Sequence, residues 1–188
     1  DYTIYYYEGN DNVQIAEGVN KVFINLGLGD DYIKGNTGSD GIFGEDGRDE
    51  IYGGEGRDVL DGGKDNDEIH GEGGIDLIYG GDGDDSITGG MDDDFIDGGD
   101  GSNDIAYFSN DKNEYLISTN DKNLLTVKHL KVEGDGIDTL VNIESLVFAD
   151  DLILLPNIIL STKYFDENIS AESIVASLSS SDQDSGDT

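Results

Sequence analysis

The sequence predicts an all-β protein, a parallel β-roll in which short strands and glycine-rich loops alternate along a flattened coil. Three observations predict it: a glycine that opens nearly every unit of nine residues, an aspartate at a fixed later position, and an aliphatic residue two positions after that aspartate. A short period that three residue types keep at once is typical of a solenoid, in which equivalent residues of successive units stack.

The aspartate is the most regular of these positions. It recurs at Asp31, Asp40, Asp49, Asp58, Asp67, Asp76, Asp85 and Asp94, and the next position in step is Asn103. The aliphatic residues that follow are Ile33, Ile42, Ile51, Leu60, Ile69, Ile78, Ile87, Ile96 and Ile105. An acidic, glycine-rich composition would also fit a disordered tail, but such a tail has no reason to keep these columns in register.

Each column has a physical reason. A three-residue strand turns one aliphatic side chain inward, because side chains alternate between the faces of a strand. The remaining six residues reverse the chain with positive φ angles, which glycine adopts readily. Two strands and two loops complete one turn, so residues two units apart are expected to lie directly above one another.

The composition excludes several functions. The chain has 43 acidic and 10 basic residues and a net charge of −33, so it lacks the basic surface that nucleic acids require. No apolar run approaches the roughly 20 residues of a membrane helix, and the sequence contains no Cys. The carboxylates repeat in step instead of pairing in one cleft, and neither His70 nor His129 has a visible nucleophile partner, so we expect no enzyme.

Stacked aspartates require a counter-ion. Asp31 would lie against Asp49 and Asp40 against Asp58, and each pair would repel without a cation between its carboxylates. Ligand sets made only of oxygen select a hard ion, and Ca²⁺ accepts the loose geometry of carboxylates and carbonyls better than Mg²⁺ does. Zinc is disfavoured because the two histidines are far apart in sequence.

Two units spell out the repeat most fully. Residues 53–61 read GGEGRDVLD and residues 80–88 read GGDGDDSIT, which match the pattern G-G-x-G-x-D-x-U-x. Over residues 26–106 the chain resembles the RTX, or haemolysin-type, calcium-binding family. That resemblance implies about seven Ca²⁺ ions, each held by aspartates and backbone carbonyls of two loops one turn apart. The further ligand positions that it implies are Gly27, Gly29, Gly38, Glu45, Gly47, Gly54, Gly56, Gly62, Lys64, Gly71, Gly73, Gly80, Asp82 and Gly89.

The flanks differ in character from the array. Residues 1–25 read as degenerate lead-in strands, and residues 107–156 as a C-terminal β cap with strands at 115–118 and 124–127. One further unit in the cap makes Asp138 a candidate ligand. Residues 165–168 read FDEN and residues 182–187 read DQDSGD. By these motifs residues 157–188 resemble the opening of a cadherin-like repeat, or they form a linker. By that resemblance Glu167, Asp182 and Asp184 are candidate calcium ligands.

The resemblance implies a structural module of a large bacterial protein that is secreted or displayed on the cell surface. We expect an adhesin-like part of a longer chain, exported unfolded by type I secretion and folding over residues 26–106 when it meets Ca²⁺. Two alternatives stay open: an accessory domain of a secreted hydrolase or toxin, and a subunit of a self-assembling surface layer or fibre. The expected partners are calcium ions, neighbouring domains of the parent chain and, in the last case, further copies.

Overall fold

The computed structural model describes residues 2–5, 8–120, 122, 124–131 and 134–155, and these form two facing sheets. The strands are β1 (Tyr2–Tyr5), β2 (Asn12–Gln14), β3 (Val22–Leu28), β4 (Tyr32–Lys34), β5 (Gly41–Asp46), β6 (Glu50–Glu55), β7 (Val59–Lys64), β8 (Glu68–Gly73), β9 (Leu77–Asp82), β10 (Ser86–Met91), β11 (Phe95–Asp100), β12 (Ile105–Tyr107), β13 (Tyr115–Thr119), β14 (Leu125–His129), β15 (Ile137–Val141), β16 (Ser145–Val147) and β17 (Leu152–Leu154). One 3₁₀ turn, Lys112–Glu114, precedes β13. None of the described helical residues forms a segment able to span a membrane.

From β1 to β12 successive strands alternate between the two sheets. One sheet has the order β1-β3-β5-β7-β9-β11-β15-β14-β13 and the other β17-β16-β12-β10-β8-β6-β4-β2. From β1 to β12 neighbouring strands are parallel, and Val59 pairs with Leu77 as Glu50 pairs with Glu68. Residues two units apart therefore lie above one another, which confirms the predicted parallel β-roll.

The strands of the array are longer than predicted. Most have six residues, as in β7, because pairing continues through the first three residues of each loop, where Gly63 lies beside Gly81 and Lys64 beside Asp82. Stacked turns of the coil have the same backbone conformation. Hydrogen bonds between turns therefore continue into the first residues of each loop. Only about three residues of each unit remain outside the strands.

One aliphatic residue from each unit builds the core. The column is fully buried between the sheets and contains Ile33, Ile42, Ile51, Leu60, Ile69, Ile78, Ile87 and Ile96. The structure corrects the last unit, because residues 98–104 form a loop that is one residue longer than its predecessors. Ala106, and not Ile105, enters the core, while Asn103 is exposed and Asp104 occupies the predicted aspartate position.

The cap covers the C-terminal end of the coil. Strands β13 and β14 form the predicted antiparallel hairpin, and β14 pairs antiparallel with β15. Strand β15 continues one sheet from β11, and β16 continues the other from β12. The rings of Phe108, Tyr115 and Phe148 pack within 5.3 Å of one another between centroids. Residues 157–188, with Glu167, Asp182 and Asp184, lie outside the described residues.

Candidate metal sites

The repeat aspartates form two columns, one along each edge of the roll. The first aspartate column contains Asp31, Asp49, Asp67 and Asp85, and the second contains Asp40, Asp58, Asp76 and Asp94. Each of these residues is at most 2% exposed. Burial of so many carboxylates requires partners, because an unpaired buried charge is strongly unfavourable.

One oxygen of each carboxylate bonds to the turn before it. Oδ1 of Asp67 accepts a hydrogen bond of 2.8 Å from the backbone N–H of Asp49, 18 residues earlier. Oδ1 of Asp76 accepts the same bond from Asp58 at 2.8 Å. These bonds fix each side chain in one orientation, so the second oxygen points to a defined place between turns.

That second oxygen is buried and has no hydrogen-bond partner in the structure. This holds for Oδ2 of Asp31, Asp40, Asp49, Asp58, Asp67, Asp76, Asp85, Asp94 and Asp104. A buried acceptor without a donor costs the full desolvation of the group. A row of such acceptors, one per unit, is the pattern that a row of cations would satisfy.

The glycine that opens each loop allows two oxygens to approach the backbone closely. A Cβ at Gly53 would lie 2.7 Å from Oδ2 of Asp58 and 2.9 Å from the carbonyl oxygen of Gly71, one turn later. A side chain would push these oxygens away, so glycine keeps a carboxylate and a carbonyl together as oxygen ligands of the kind that Ca²⁺ takes. We call such a place, where an aspartate and a carbonyl of the next turn meet at a glycine, a glycine space; others lie beside Gly44, Gly62, Gly71, Gly80 and Gly98.

The predicted carbonyl positions lie in these loops. Four of these carbonyls lie at the glycine spaces of the preceding turn: those of Gly62, Gly71, Gly80 and Gly89. Those of Gly29, Gly38, Glu45 and Gly56 face the following turn, and Gly27, Gly47 and Gly54 occupy matching loop positions. The carbonyls of Lys64 and Gly73 also accept hydrogen bonds, from the N–H groups of Gly47 at 3.2 Å and Gly56 at 2.7 Å. Asp82 stands one turn above Lys64, at the same loop position.

Several loop residues have positive φ angles. Gly54 has a φ of +105° and Gly56 of +146°, which are accessible mainly to glycine. The loops keep this shape where another residue replaces glycine, since Glu45 has a φ of +78° and Asp65 of +73°. The prediction that these loops require left-handed backbone is thereby confirmed.

Burial disfavours ionisation of the carboxyl groups in the two aspartate columns. Burial raises the pKa of Asp49 and Asp58 to about 7, and hydrogen bonds from the preceding turn lower it less. Burial and then the charges of neighbouring aspartates raise the pKa of Asp67 and Asp94 to about 8. A divalent cation between two such groups would replace this repulsion with attraction.

Both columns continue beyond the array. Oδ1 of Asp138 accepts the N–H of Asp94 at 3.0 Å, so this residue extends the second column. Oδ1 of Asp31 accepts the N–H of Asp11 at 2.6 Å, which makes Asp11 an earlier rung that the sequence reasoning did not single out. The spacing of the repeat could have identified Asp11, because an aliphatic residue, the buried Val13, follows it by two positions.

The sites can be tested without changing any charge. In Gly62→Ala the added methyl would lie 2.6 Å from the carbonyl oxygen of Gly80 and closer still to Asp67 Oδ2. We expect this variant to bind one ion fewer per chain and to need about tenfold more Ca²⁺ to fold, or ~1.4 kcal/mol. Isothermal titration calorimetry measures both quantities.

The control for this variant is Ile75→Ala. Ile75 lies in a loop of the array, is 51% exposed and is not a predicted ligand position, so this substitution also leaves every charge in place. We expect the ion count and the calcium midpoint of the control to equal those of the parent chain. Equal calcium binding by Gly62→Ala and Ile75→Ala would show that the oxygens beside Gly62 hold no metal.

Comparison with known proteins agrees with this geometry. Four overlapping segments, residues 23–51, 34–69, 43–78 and 70–105, match the family model of the RTX calcium-binding nonapeptide repeat. No curated protein matches the chain. RTX nonapeptide repeats bind Ca²⁺, and the matched residues are those that carry the aspartate columns and the glycine spaces. Residues 23–105 of this chain are therefore a set of RTX calcium-binding nonapeptide repeats.

Proposed function

We propose that this chain is a structural module of a secreted or cell-surface bacterial protein, adhesin-like, which folds on binding Ca²⁺ after export. The observation that carries the proposal is the row of buried Oδ2 atoms that have no partner. Such a row is costly in a cytosol that is poor in calcium and favourable in a medium that supplies it. A binding equilibrium of this kind adds its free energy only to the folded state.

The residues of each proposed site come from two turns. Asp58, with the carbonyls of Gly54 and Gly56, would act together with Asp76 and the carbonyls of Gly71 and Gly73. Bound Ca²⁺ would supply two positive charges to oxygens that otherwise repel. The array provides about seven such sites, and the last of them uses Asp104 in place of Asn103.

The geometry favours a mechanical role. Each site joins consecutive turns, so the ions form two rows along the edges of the roll and brace it along its axis. A long coil with one core residue per unit gains stiffness from such bracing. That property suits a spacer that holds other domains of a parent chain away from a cell surface.

Chain dimensions give a direct test of the proposal. At nanomolar free Ca²⁺ we expect the hydrodynamic radius of an expanded chain, and at millimolar Ca²⁺ that of a compact one. The midpoint should lie near 10⁻⁴–10⁻³ M, the range of extracellular calcium modules. Dynamic light scattering follows the transition, with Mg²⁺ as the control ion. A radius that does not change between these conditions would contradict the proposal.

Self-assembly is the second candidate, and β1 is the observation that favours it. This strand lies at the edge of its sheet, and Tyr2 and Tyr5 are each 62% exposed. Exposed apolar edge strands can pair with another chain. Sedimentation velocity in saturating Ca²⁺ distinguishes the candidates, because a monomer is expected of a spacer and concentration-dependent polymers of a surface layer.

A further inference from the structure

The last loop of the array departs from the nine-residue period and still presents a buried carboxylate. Residues 98–104 contain one residue more than the preceding loops. They end at Asp104, which is 1% exposed and whose Oδ2 has no hydrogen-bond partner. Burial raises the pKa of Asp104 to about 6. The nonapeptide period ends at this loop, so it supplies no later aspartate to pair with the carboxylate of Asp104.

Glu144 of the cap takes the place of the missing next rung. Its Oε2 accepts the N–H of Asp104 at 2.9 Å, and the N–H of Ser145 donates to the carbonyl oxygen of Asp104 at 3.0 Å. Within the array Asp67 accepts the N–H of Asp49 at 2.8 Å, and Glu68 donates to the carbonyl of Asp49 at 2.8 Å. Both bonds of the array recur at the junction, where the N–H of Glu144 adds a further bond of 3.0 Å to the carbonyl oxygen of Asp104.

The glycine space is also repeated at this junction. A Cβ at Gly98 would lie 2.8 Å from Oδ2 of Asp104 and closer still to the carbonyl oxygen of Asn142. In the array this carbonyl comes from the glycine that opens the loop one turn later. Here it comes from the turn between β15 and β16, where Asn142 has a φ of +50°. A hydrogen bond of 2.8 Å from its Nδ2 to Asp97 fixes that turn.

We propose that Asp104, Glu144 and the carbonyl oxygen of Asn142 form a further calcium site that fastens the cap to the roll. It rests on the proposed function, since it uses the same ion, but two of its three residues lie outside the matched repeats. Two carboxylates and a carbonyl make a hard, oxygen-only ligand set, which selects Ca²⁺ over softer-ligand metals.

The site would control the docking of the cap. Strand β16 follows Glu144 directly and pairs with β12, and its Leu146 is fully buried against the core. Loss of the ion leaves two carboxylates facing each other at this junction, so β16 is expected to open first. Calcium would thereby determine whether the end of the coil is closed.

The test substitutes Glu144→Gln, with Glu17→Gln as the control because Glu17 is exposed and changes the charge equally. At a Ca²⁺ concentration that saturates the parent chain, we expect the first variant to hold one ion fewer by equilibrium dialysis. Amide exchange should rise at least tenfold in Ser145–Val147 and stay unchanged in β7. The control should match the parent in both measurements.

A second variant makes the outcome independent of any folding defect in the first. Gly98→Ala keeps every carboxylate and fills the space beside Asp104, so it should also hold one ion fewer. Full ion counts in both variants would overturn the cap site and leave the proposed function intact. A parent chain that binds no calcium would overturn both.

Discussion

Chelating calcium with excess EGTA is expected to abolish most of the β signal in the far-ultraviolet circular dichroism of this chain. Each unit buries one aliphatic side chain and one carboxylate, so the apolar core is thin while the buried charge is large. Small cores rarely stabilise a fold unaided. Without the ions, the repulsion of a chain with net charge −33 favours the expanded state.

The reverse titration supplies the control for that experiment. Adding Ca²⁺ back should restore the spectrum cooperatively, because each ion joins two turns and prepares the next site. An equal concentration of Mg²⁺ should restore little, since it keeps its waters and requires stricter geometry. Recovery in concentrated NaCl alone would mean that screening suffices, and an unchanged spectrum in EGTA would contradict coupled folding and binding.

Acid is expected to restore β-structure to the metal-free chain. The ordinary pKa of an aspartate is 3.8, whereas burial raises that of Asp49 to about 7 and of Asp67 to about 8. The folded roll therefore holds more protons than the unfolded chain between these values, so its stability falls as the pH rises through this window and recovers as the pH falls. Circular dichroism in EGTA from pH 8 to pH 4.5 follows this recovery.

One substitution should move the two transitions in opposite directions. Asp67→Asn keeps an acceptor for the N–H of Asp49 but removes the buried charge. The metal-free variant should therefore fold at a higher pH than the parent, while the calcium midpoint at pH 7.5 rises about tenfold or more. The exposed Asp111→Asn is the matched control. Shifts of the same sign in both transitions would refute the ligand role of Asp67.

The array was predictable because its determinants are local and repeated. An aliphatic residue at every ninth position predicts that side chains such as Ile51 point into the core. The aspartate two residues earlier, here Asp49, is then placed at the end of the loop. The same phase predicted that Val59 and Leu77 would be neighbours. The longer strands were missed because pairing through the loops depends on identical conformations in stacked turns, which composition does not reveal.

The C-terminal end was less predictable because its register is set by tertiary contacts. A strict count of nine residues placed Asn103 in the aspartate column and Ile105 in the aliphatic column. One inserted residue moves both positions on by one, to Asp104 and Ala106, which keep the same spacing. Glu144 also obeys that spacing, through the buried Leu146. Forty residues, including the hairpin of β13 and β14, separate this glutamate from Asp104 in sequence, so only the tertiary fold brings the two together.

The pairing of residues 18 apart sets a rule for how such a chain can change length. Removing 18 residues from the middle of the array shortens the roll by one strand spacing, about 4.8 Å, and returns every later loop to its own edge. Removing only one unit sends each later loop to the opposite edge and breaks the junction with the cap. Insertions and deletions that survive selection in this region should therefore come in even numbers of units.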